Sequence, residues 1–101
     1  MGLALVPYTP VSVHHFDRIK KKLPSVLRAE VDRQVRAICQ DPSLGAEKVG
    51  DLRGVFVHKF RLADQIYLLA YWPDAPAKTV TLLALGGHEN FYRDLKAYLK
   101  A

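Results

Sequence analysis

Two groups of polar residues in the second half of the chain have the types that act on phosphate esters. Lys59 and Arg61 stand two residues apart in a segment with strand-like alternation, so both side chains point to the same side of that strand. His88 and Tyr92 follow an apolar segment that ends in two glycines, and residues four apart share one face of a helix. We predict that the imidazole, the phenol and the two cations meet around one hollow.

Metal-free cleavage of RNA is a reaction that this set of side chains could perform. The ribose 2′-hydroxyl attacks the adjacent phosphate, which requires a base for the 2′ proton, cations for the developing charge and an acid for the leaving 5′ oxygen. The intrinsic pKa of histidine, about 6.5, suits His88 to act as base or acid at cellular pH. Lys59 and Arg61 would stabilise the phosphate charge, and Tyr92 would orient the nucleophile or stack on a base.

Each of these residues also has an ordinary structural interpretation. His88 continues the apolar stripe of the predicted last helix and could cap the core, and Tyr92 could be a packing aromatic. Lys59 and Arg61 could belong to a solvated strand face. The large apolar residues of segment 55–62 alternate with these two cations, which places a core on one side of the strand and leaves the basic side open to a ligand.

Composition limits the class of protein and its partners. The chain has 101 residues and a net charge of +5, and residues 18–61 hold eleven of the fifteen basic residues against five acids. One domain with an anionic partner, such as a nucleic acid or an acidic polypeptide, is therefore expected. No apolar run approaches the roughly 18 residues of a membrane span, so no membrane partner is expected.

Cysteine usage and the absence of known binding motifs narrow the chemistry. Cys39 is the single cysteine, which favours a reducing cytoplasm, and its place on the apolar side of a predicted helix favours a buried thiol over a nucleophile. The sequence has no glycine-rich phosphate loop, metal-ligand motif or nucleophile elbow. We therefore expect neither a metal nor another cofactor.

Hydrophobic periodicity and turn residues predict the order β-α-α-β-β-β-α. The class is α+β: a small, largely antiparallel sheet with an N-terminal helical hairpin and a C-terminal helix, in a single domain over residues 1–101. Ser12 is the predicted N-cap of the first helix, and Asp41-Pro42 ends the second. The predicted elements are a strand over 3–8 that ends at the turn 8–10, helices within 12–40, strands near 54–62, 65–72 and 78–85, and a helix over 88–100.

This order, with the short motifs along it, resembles the RelE/ParE superfamily of bacterial type II toxins. The resemblance covers about residues 3–99. The motifs that carry it are Asp41-Pro42 with Gly45, Gly50-Asp51-Leu52-Arg53-Gly54, Lys59-Phe60-Arg61, Tyr67-Leu68-Leu69-Ala70-Tyr71 and Leu82-Leu83-Ala84-Leu85-Gly86-Gly87-His88-Glu89-Asn90-Phe91-Tyr92. The superfamily implies a toxin that is neutralised by an antitoxin encoded beside it. RelE-like members cleave mRNA in the ribosomal decoding site, whereas ParE-like members poison DNA gyrase.

The resemblance implies roles for particular residues. The histidine and aromatic residue of the RelE-like pattern correspond to His88 and Tyr92, and the catalytic cations correspond to Lys59 and Arg61. Lys48, Arg53 and Tyr71 are the expected substrate-binding residues. One position departs from the pattern, because many ribonuclease members have arginine where this chain has Leu68, and that cation would stabilise the transition state.

The sequence therefore favours a metal-independent endoribonuclease that acts on mRNA in the bacterial ribosome and halts translation. Its expected partner is a cognate antitoxin, in a toxin-antitoxin hetero-oligomer. Two alternatives remain open at this stage. One is a ParE-like gyrase inhibitor without catalytic activity, and the other is a catalytically silent module that only binds the antitoxin.

Overall fold

The computed structural model describes residues 7–100, which form a five-stranded sheet with helices on both faces. The elements are β1 (Thr9–Ser12), α1 (His14–Lys21), α2 (Ser25–Gln40), β2 (Ala46–Glu47), β3 (Phe56–Leu62), β4 (Gln65–Asp74), β5 (Thr79–Gly87) and α3 (Phe91–Lys100). The strand order is β1-β5-β4-β3-β2, with β1 parallel to β5 and the other neighbours antiparallel. The predicted α+β class and element order are confirmed, with β2 as an additional two-residue strand.

The N-terminal helical hairpin packs on one face of the sheet. Phe16 of α1 and an inward stripe of α2 formed by Leu27, Val31 and Ile38 are buried against Leu69 and further residues of β3, β4 and β5. This stripe recurs at helical spacing, as expected for the buried face of an amphipathic helix. No helix in residues 7–100 is long and apolar enough to cross a membrane.

Cys39 lies in the same core, at the end of α2. Its side chain is buried, and burial raises the pKa of the thiol. Because the thiolate is the reactive form, the raised pKa makes this cysteine a poor nucleophile. The prediction of a buried, unreactive thiol is confirmed.

The opposite face of the sheet is covered by α3. Phe91 and Leu95 of this helix pack against Leu68, Ala70 and Leu83. Successive side chains of a strand point to opposite faces, so each central strand supplies residues to both cores. β5 also supplies both cores: Val80, Leu82 and Leu85 lie beneath α1 and α2, and Leu83 and Ala84 lie beneath α3. These last two neighbours share a face because the pairing of β5 with β4 is irregular there.

The first strand differs from the prediction. The predicted strand falls largely on residues outside the described part of the chain, and the observed strand is β1, where the sequence predicted a turn. Thr9 donates its N–H to the Lys78 carbonyl, and Val13 donates its N–H to the Leu82 carbonyl. Alternate backbone nitrogens of β1 therefore face β5, and the nitrogen of Pro10 faces away from it. Proline is tolerated there because its missing N–H falls on the open edge of the sheet.

The starts of two helices also differ from the prediction. Ser12 belongs to β1, and Val13 occupies the cap position of α1 without a side-chain cap. The last helix begins at Phe91 instead of His88. Asn90 has φ 63°, which no residue inside an α-helix adopts, and its carbonyl accepts the first helical hydrogen bond, from Asp94 N–H at 2.9 Å.

Candidate nucleic-acid interface

Lys59 and Arg61 extend the face of the sheet that α3 covers. Val57, two residues before Lys59, belongs to the core beneath α3. Alternation along β3 therefore directs Lys59 and Arg61 to the same face, and both are exposed. Their cross-strand partners on β4 are Leu68 and Ile66. The two cations thus begin where the core under α3 ends.

Lys48 and Tyr92 meet on this face. Lys48 follows β2, and its N–H donates to the Val55 carbonyl at 2.9 Å. Its Nζ lies 5.3 Å from the centroid of the Tyr92 ring, within the range of a cation–π contact. Tyr92 is half-buried in the first turn of α3 and packs edge-on against Phe91, with ring centroids 5.4 Å apart. The sequence paired Tyr92 with His88, whereas the structure pairs it with Lys48.

Arg53 lies at the other end of the same face. It ends the 3-10 turn Gly50–Leu52 and is exposed. The next residue, Gly54, has φ 91° and lies against the indole of Trp72, because a methyl group placed on Gly54 would be 3.6 Å from the indole Nε1. We use the name basic face for the surface formed by Lys48, Arg53, Lys59 and Arg61 together with Tyr92.

The cations of the basic face are available to an anion. Within residues 7–100 the ion pairs are Lys20–Asp32, Glu30–Arg33 and Arg93–Asp94, and none of them includes a residue of the basic face. All three pairs lie on helices. A phosphate that reaches the basic face therefore does not have to displace a protein carboxylate in this part of the chain.

His88 lies at the end of β5 and is exposed. It lines a shallow hollow of about 330 Å³ together with Gln65, Ile66, Gly87 and Glu89. Ile66 is the cross-strand partner of Arg61, so the backbones of His88 and Arg61 flank β4 at the same end of the sheet, roughly 10 Å apart at about 4.8 Å per strand.

His88 lies outside α3. The residue precedes α3 by three positions, so the i, i+4 relation with Tyr92 predicted from the sequence is wrong. The helix dipole acts within the first turn. His88 lies outside this turn, because α3 begins at Phe91.

Tyr71 does not contact substrate, and the prediction that it does is wrong. Its side chain is 0% exposed and lies in the core beneath α1 and α2, on the face opposite Lys59. Its hydroxyl donates to the Pro42 carbonyl at 2.6 Å and accepts from Gly45 N–H at 2.8 Å. Burial raises the pKa of Tyr71, and the Gly45 N–H acts in the opposite direction. This tyrosine fixes the segment that leads into β2 and Lys48.

Gly45 makes that attachment possible. A Cβ at this position would lie 2.9 Å from both the Tyr71 hydroxyl oxygen and the Val57 carbonyl carbon, closer than such atoms approach. The segment between α2 and β2 can therefore approach the sheet this closely only with glycine. The glycine that marked the family resemblance has a packing reason in this chain.

Leu68 and His58 contribute to packing and hydrogen bonding within the fold. Leu68 is 1% exposed beneath α3, so the site where related ribonucleases carry arginine is part of the core here. His58 bonds through Nε2 to the Gln34 Oε1 at 2.7 Å, and burial lowers its pKa. His58 is half-buried, and this hydrogen bond gives it a structural role. Within residues 7–100 no three side chains of metal-binding type come together.

Trp72 is an exposed aromatic residue that the sequence alone did not single out. Trp72, which is 55% exposed, lies on β4. Leu68 and Ala70 point into the core beneath α3, so alternation places Trp72 on the same face. The available signal was the residue type itself, because a lone tryptophan beside the turn residue Pro73 is a poor candidate for the core.

Comparison with known proteins identifies the family. The family model described as the ParE-like toxin of type II bacterial toxin-antitoxin systems matches residues 11–96. The chain belongs to this family. The predicted membership of the RelE/ParE superfamily is therefore confirmed. No curated protein sequence matches the toxin closely.

Three solved structures of RelE or RelBE proteins have a similar fold. The toxin is similar to a chain of the RelBE2 toxin-antitoxin complex from Mycobacterium tuberculosis, with a TM-score of 0.72 and 25% identity over 84% of this chain and 95% of that chain. It is also similar to a mutant of Escherichia coli RelE in the free state, with a TM-score of 0.74 and 18% identity over 94% and 98% of the two chains. The intact E. coli RelBE complex gives a TM-score of 0.67 and 20% identity over 81% and 98%.

Proposed function

We propose that this ParE-like toxin is a metal-independent endoribonuclease that cleaves mRNA held in the ribosome and so halts translation. The observation that carries the proposal is the set of cations on the basic face that form no ion pair within residues 7–100, at whose open end Arg61 and His88 flank β4. An exposed imidazole beside an anion-binding surface is what phosphodiester cleavage by an internal nucleophile requires. The fold shared with RelE proteins supports it.

In this mechanism Lys59 and Arg61 hold the scissile phosphate and stabilise the charge that develops on it. One such donor contributes about 3 kcal/mol to transition-state stabilisation in enzymes where this has been measured. The separation of about 10 Å between the backbones of Arg61 and His88 leaves room for a phosphate and its ribose between their side chains. His88 takes the 2′ proton or supplies the proton to the leaving 5′ oxygen.

Lys48 and Tyr92 act on the nucleotide beside the scissile bond. The Lys48 ammonium already lies over one face of the Tyr92 ring. Its charge is available to a phosphate, and the ring edge or its second face is available to a base. Arg53 extends the positive surface away from the point of cleavage. This arrangement orients the RNA parallel to β3 instead of perpendicular to it.

We propose that a cognate antitoxin inhibits the toxin by covering the basic face with an acidic or amphipathic segment. RelE proteins of M. tuberculosis and E. coli have been solved in complex with their antitoxins. The charge of +5 on this chain and the unpaired cations of the basic face favour an acidic covering segment. A ribosomal substrate places the toxin in the cytoplasm.

The second candidate function is inhibition of DNA gyrase without chemistry. Two observations favour it. The matching family model is ParE-like, and Leu68 is buried where related ribonucleases have a cation. In that case the basic face would bind gyrase or DNA, and His88 would have no catalytic role.

Primer extension on mRNA from cells that express the toxin separates the two candidates. Discrete cuts that require translation, and that disappear with His88→Ala and with Arg61→Ala, support the ribonuclease. Arg36→Ala is the matched control, since Arg36 is an exposed arginine on α2, on the opposite face of the sheet. Intact mRNA together with gyrase-dependent DNA breaks that persist in both variants would overturn the proposal in favour of gyrase inhibition.

A further inference from the structure

Trp72 belongs to a part of the sheet that α3 leaves open. Its cross-strand partner is Thr81 on β5, and the partner of Thr81 on β1 is Val11. In this row the side chain of Trp72 is 55% exposed and that of Val11 is 47% exposed. An exposed aromatic ring with an exposed apolar side chain in the same row makes this part of the sheet a candidate binding surface.

A hollow adjoins the indole on the side of the β4–β5 turn. It measures about 410 Å³ and is lined by Trp72, Pro73, Asp74, Ala75, Pro76 and Thr81. Pockets from about 300 Å³ upward hold small organic ligands, so one nucleobase fits. Asp74 is the acidic group in the hollow, and its carboxylate accepts the Ala77 N–H at 3.1 Å within the turn.

The indole is continuous with the basic face. Gly54 lies against it, and Arg53 is the preceding residue. From Trp72 to Ile66, the partner of Arg61, β4 runs six residues, which is about 20 Å. Helix α3 covers Leu68 and Ala70 between these two points, so a strand that joins them has to pass the start of the helix at Lys48 and Tyr92. At about 3.4 Å per nucleotide, a stacked single strand needs more than roughly six nucleotides for this route.

We propose that Trp72 is a stacking platform for an unpaired base of single-stranded RNA whose phosphates run along the basic face. The inference rests on the proposed function, since it assigns a second contact to the same RNA. Stacking on an aromatic ring accepts any base. Trp72 therefore adds affinity and fixes the direction of the strand, with one base held about 20 Å from Arg61, while His88 and Arg61 act at the other end.

The immediate neighbours of the indole favour RNA over a protein partner. A protein hot spot around tryptophan is ringed by further apolar side chains that exclude water. Here the neighbours of the indole on the sheet are Thr81 and Gly54, and Arg53 is the residue before Gly54. Pro73, Ala75 and Pro76 line the hollow on the side of the β4–β5 turn, together with Asp74. A planar ring next to a cation matches a base and its phosphate, which is the combination used by proteins that bind single strands.

The fluorescence of Trp72 tests the proposal directly, because it is the single tryptophan of the chain. The full-length toxin is titrated with an eight-nucleotide oligoadenylate and with an abasic ribose-phosphate oligomer of the same length. Stacking predicts quenching of the fluorescence by the oligoadenylate only, while both oligomers bind through their phosphates. Binding itself is followed by the anisotropy of a dye on the oligomer.

Three variants separate stacking from other effects. Trp72→Thr should weaken oligoadenylate binding roughly five- to hundredfold, and Trp72→Phe, which keeps a ring, should restore most of it. Val11→Thr is the matched control, since it removes an exposed apolar side chain from the same row without removing a ring. Circular dichroism confirms that each variant is folded, as expected for exposed positions.

Each other outcome overturns the inference in a distinct way. Oligoadenylate that binds without quenching, and equally well to Trp72→Thr, removes the stacking role and leaves the proposed ribonuclease intact. Equal quenching by the abasic oligomer also removes it. Unchanged RNA affinity in Trp72→Thr together with loss of neutralisation by the antitoxin assigns the surface to the antitoxin. Failure of the oligoadenylate to bind overturns the inference, whereas primer extension decides the proposed function separately.

Discussion

The Lys48 ammonium lies over the Tyr92 ring, with Nζ 5.3 Å from its centroid, and this contact joins the segment before β3 to the first turn of α3. The two residues are 44 positions apart in the sequence. Tyr92 is also packed on Phe91, which touches the sheet at Gly86. The contact therefore couples the position of a cation of the basic face to the packing of the last helix.

A double-mutant cycle on this pair should show coupling. Lys48→Ala and Tyr92→Leu each remove one partner, and we expect an interaction free energy of about 0.5–1 kcal/mol for a partly exposed cation–π contact. Urea unfolding of the four proteins measures it. Lys48→Arg serves as the control, since it keeps a cation over the ring. Single-mutant effects that simply add would show that the contact contributes nothing to stability.

Removing Lys59 or Arg61 should separate stability from binding. Both side chains are exposed and form no ion pair within residues 7–100, so alanine substitution should change the free energy of unfolding by less than about 0.5 kcal/mol. Growth arrest on induction should nevertheless be lost.

The salt dependence of RNA binding gives a second measurement on these variants. Each phosphate contact contributes about 0.7 to the slope of log K against log salt concentration for a single strand. Arg61→Ala should therefore lower that slope by about this amount. Arg36→Ala, on α2, should leave it unchanged, and an equal drop in both variants would assign the effect to overall charge instead of to the basic face.

Much of the fold could be predicted because local signals agreed with tertiary packing. The stripe of Leu27, Val31 and Ile38 and the apolar run of β5 each record burial directly in their periodicity. The first strand was misplaced because Pro10 signals a turn in sequence, and whether its missing N–H is tolerated depends on which side of β1 faces β5.

The candidate site was only partly predictable. The sharing of one face by Lys59 and Arg61 follows from strand alternation, which the sequence shows. The start of α3 does not follow from such a pattern. It depends on the φ of 63° at Asn90, a conformation that keeps His88 outside the helix that carries Tyr92. The pairing of Lys48 with Tyr92 and the burial of Tyr71 depend on long-range packing, which no local pattern encodes.

The stability of the toxin should fall as the pH is lowered below about 6.5, partly through His58. Burial lowers the pKa of this residue from its ordinary value of 6.5, so the unfolded state takes up the proton at a higher pH than the folded state. Unfolding then becomes more favourable with each step down in pH, until the folded state is also protonated.

Chemical denaturation between pH 7 and about 5.5, above the main carboxylate range, measures this effect. His58→Gln should show a shallower pH dependence, by less than one bound proton. Arg93→Ala, which removes an exposed arginine far from His58 in the sequence, should keep the original dependence. Identical pH profiles for the original chain and His58→Gln would show that His58 does not contribute.

Tyr71→Phe should loosen the segment that carries Lys48 while leaving the sheet intact. The substitution keeps the buried ring and leaves the Pro42 carbonyl and the Gly45 N–H without their partner, at a cost of about 1–3 kcal/mol in the free energy of unfolding. Hydrogen exchange should accelerate first at residues 43–48, because the hydroxyl is what ties this segment to β4. Tyr67→Phe is the matched control: it removes a hydroxyl bonded only to an exposed glutamine side chain, so it should cost less and leave exchange at 43–48 unchanged. Equal destabilisation by the two substitutions would mean that the Tyr71 hydroxyl does not hold the segment in place, and Lys48 would then be positioned by its contact with Tyr92 and by the pairing of β2 with β3.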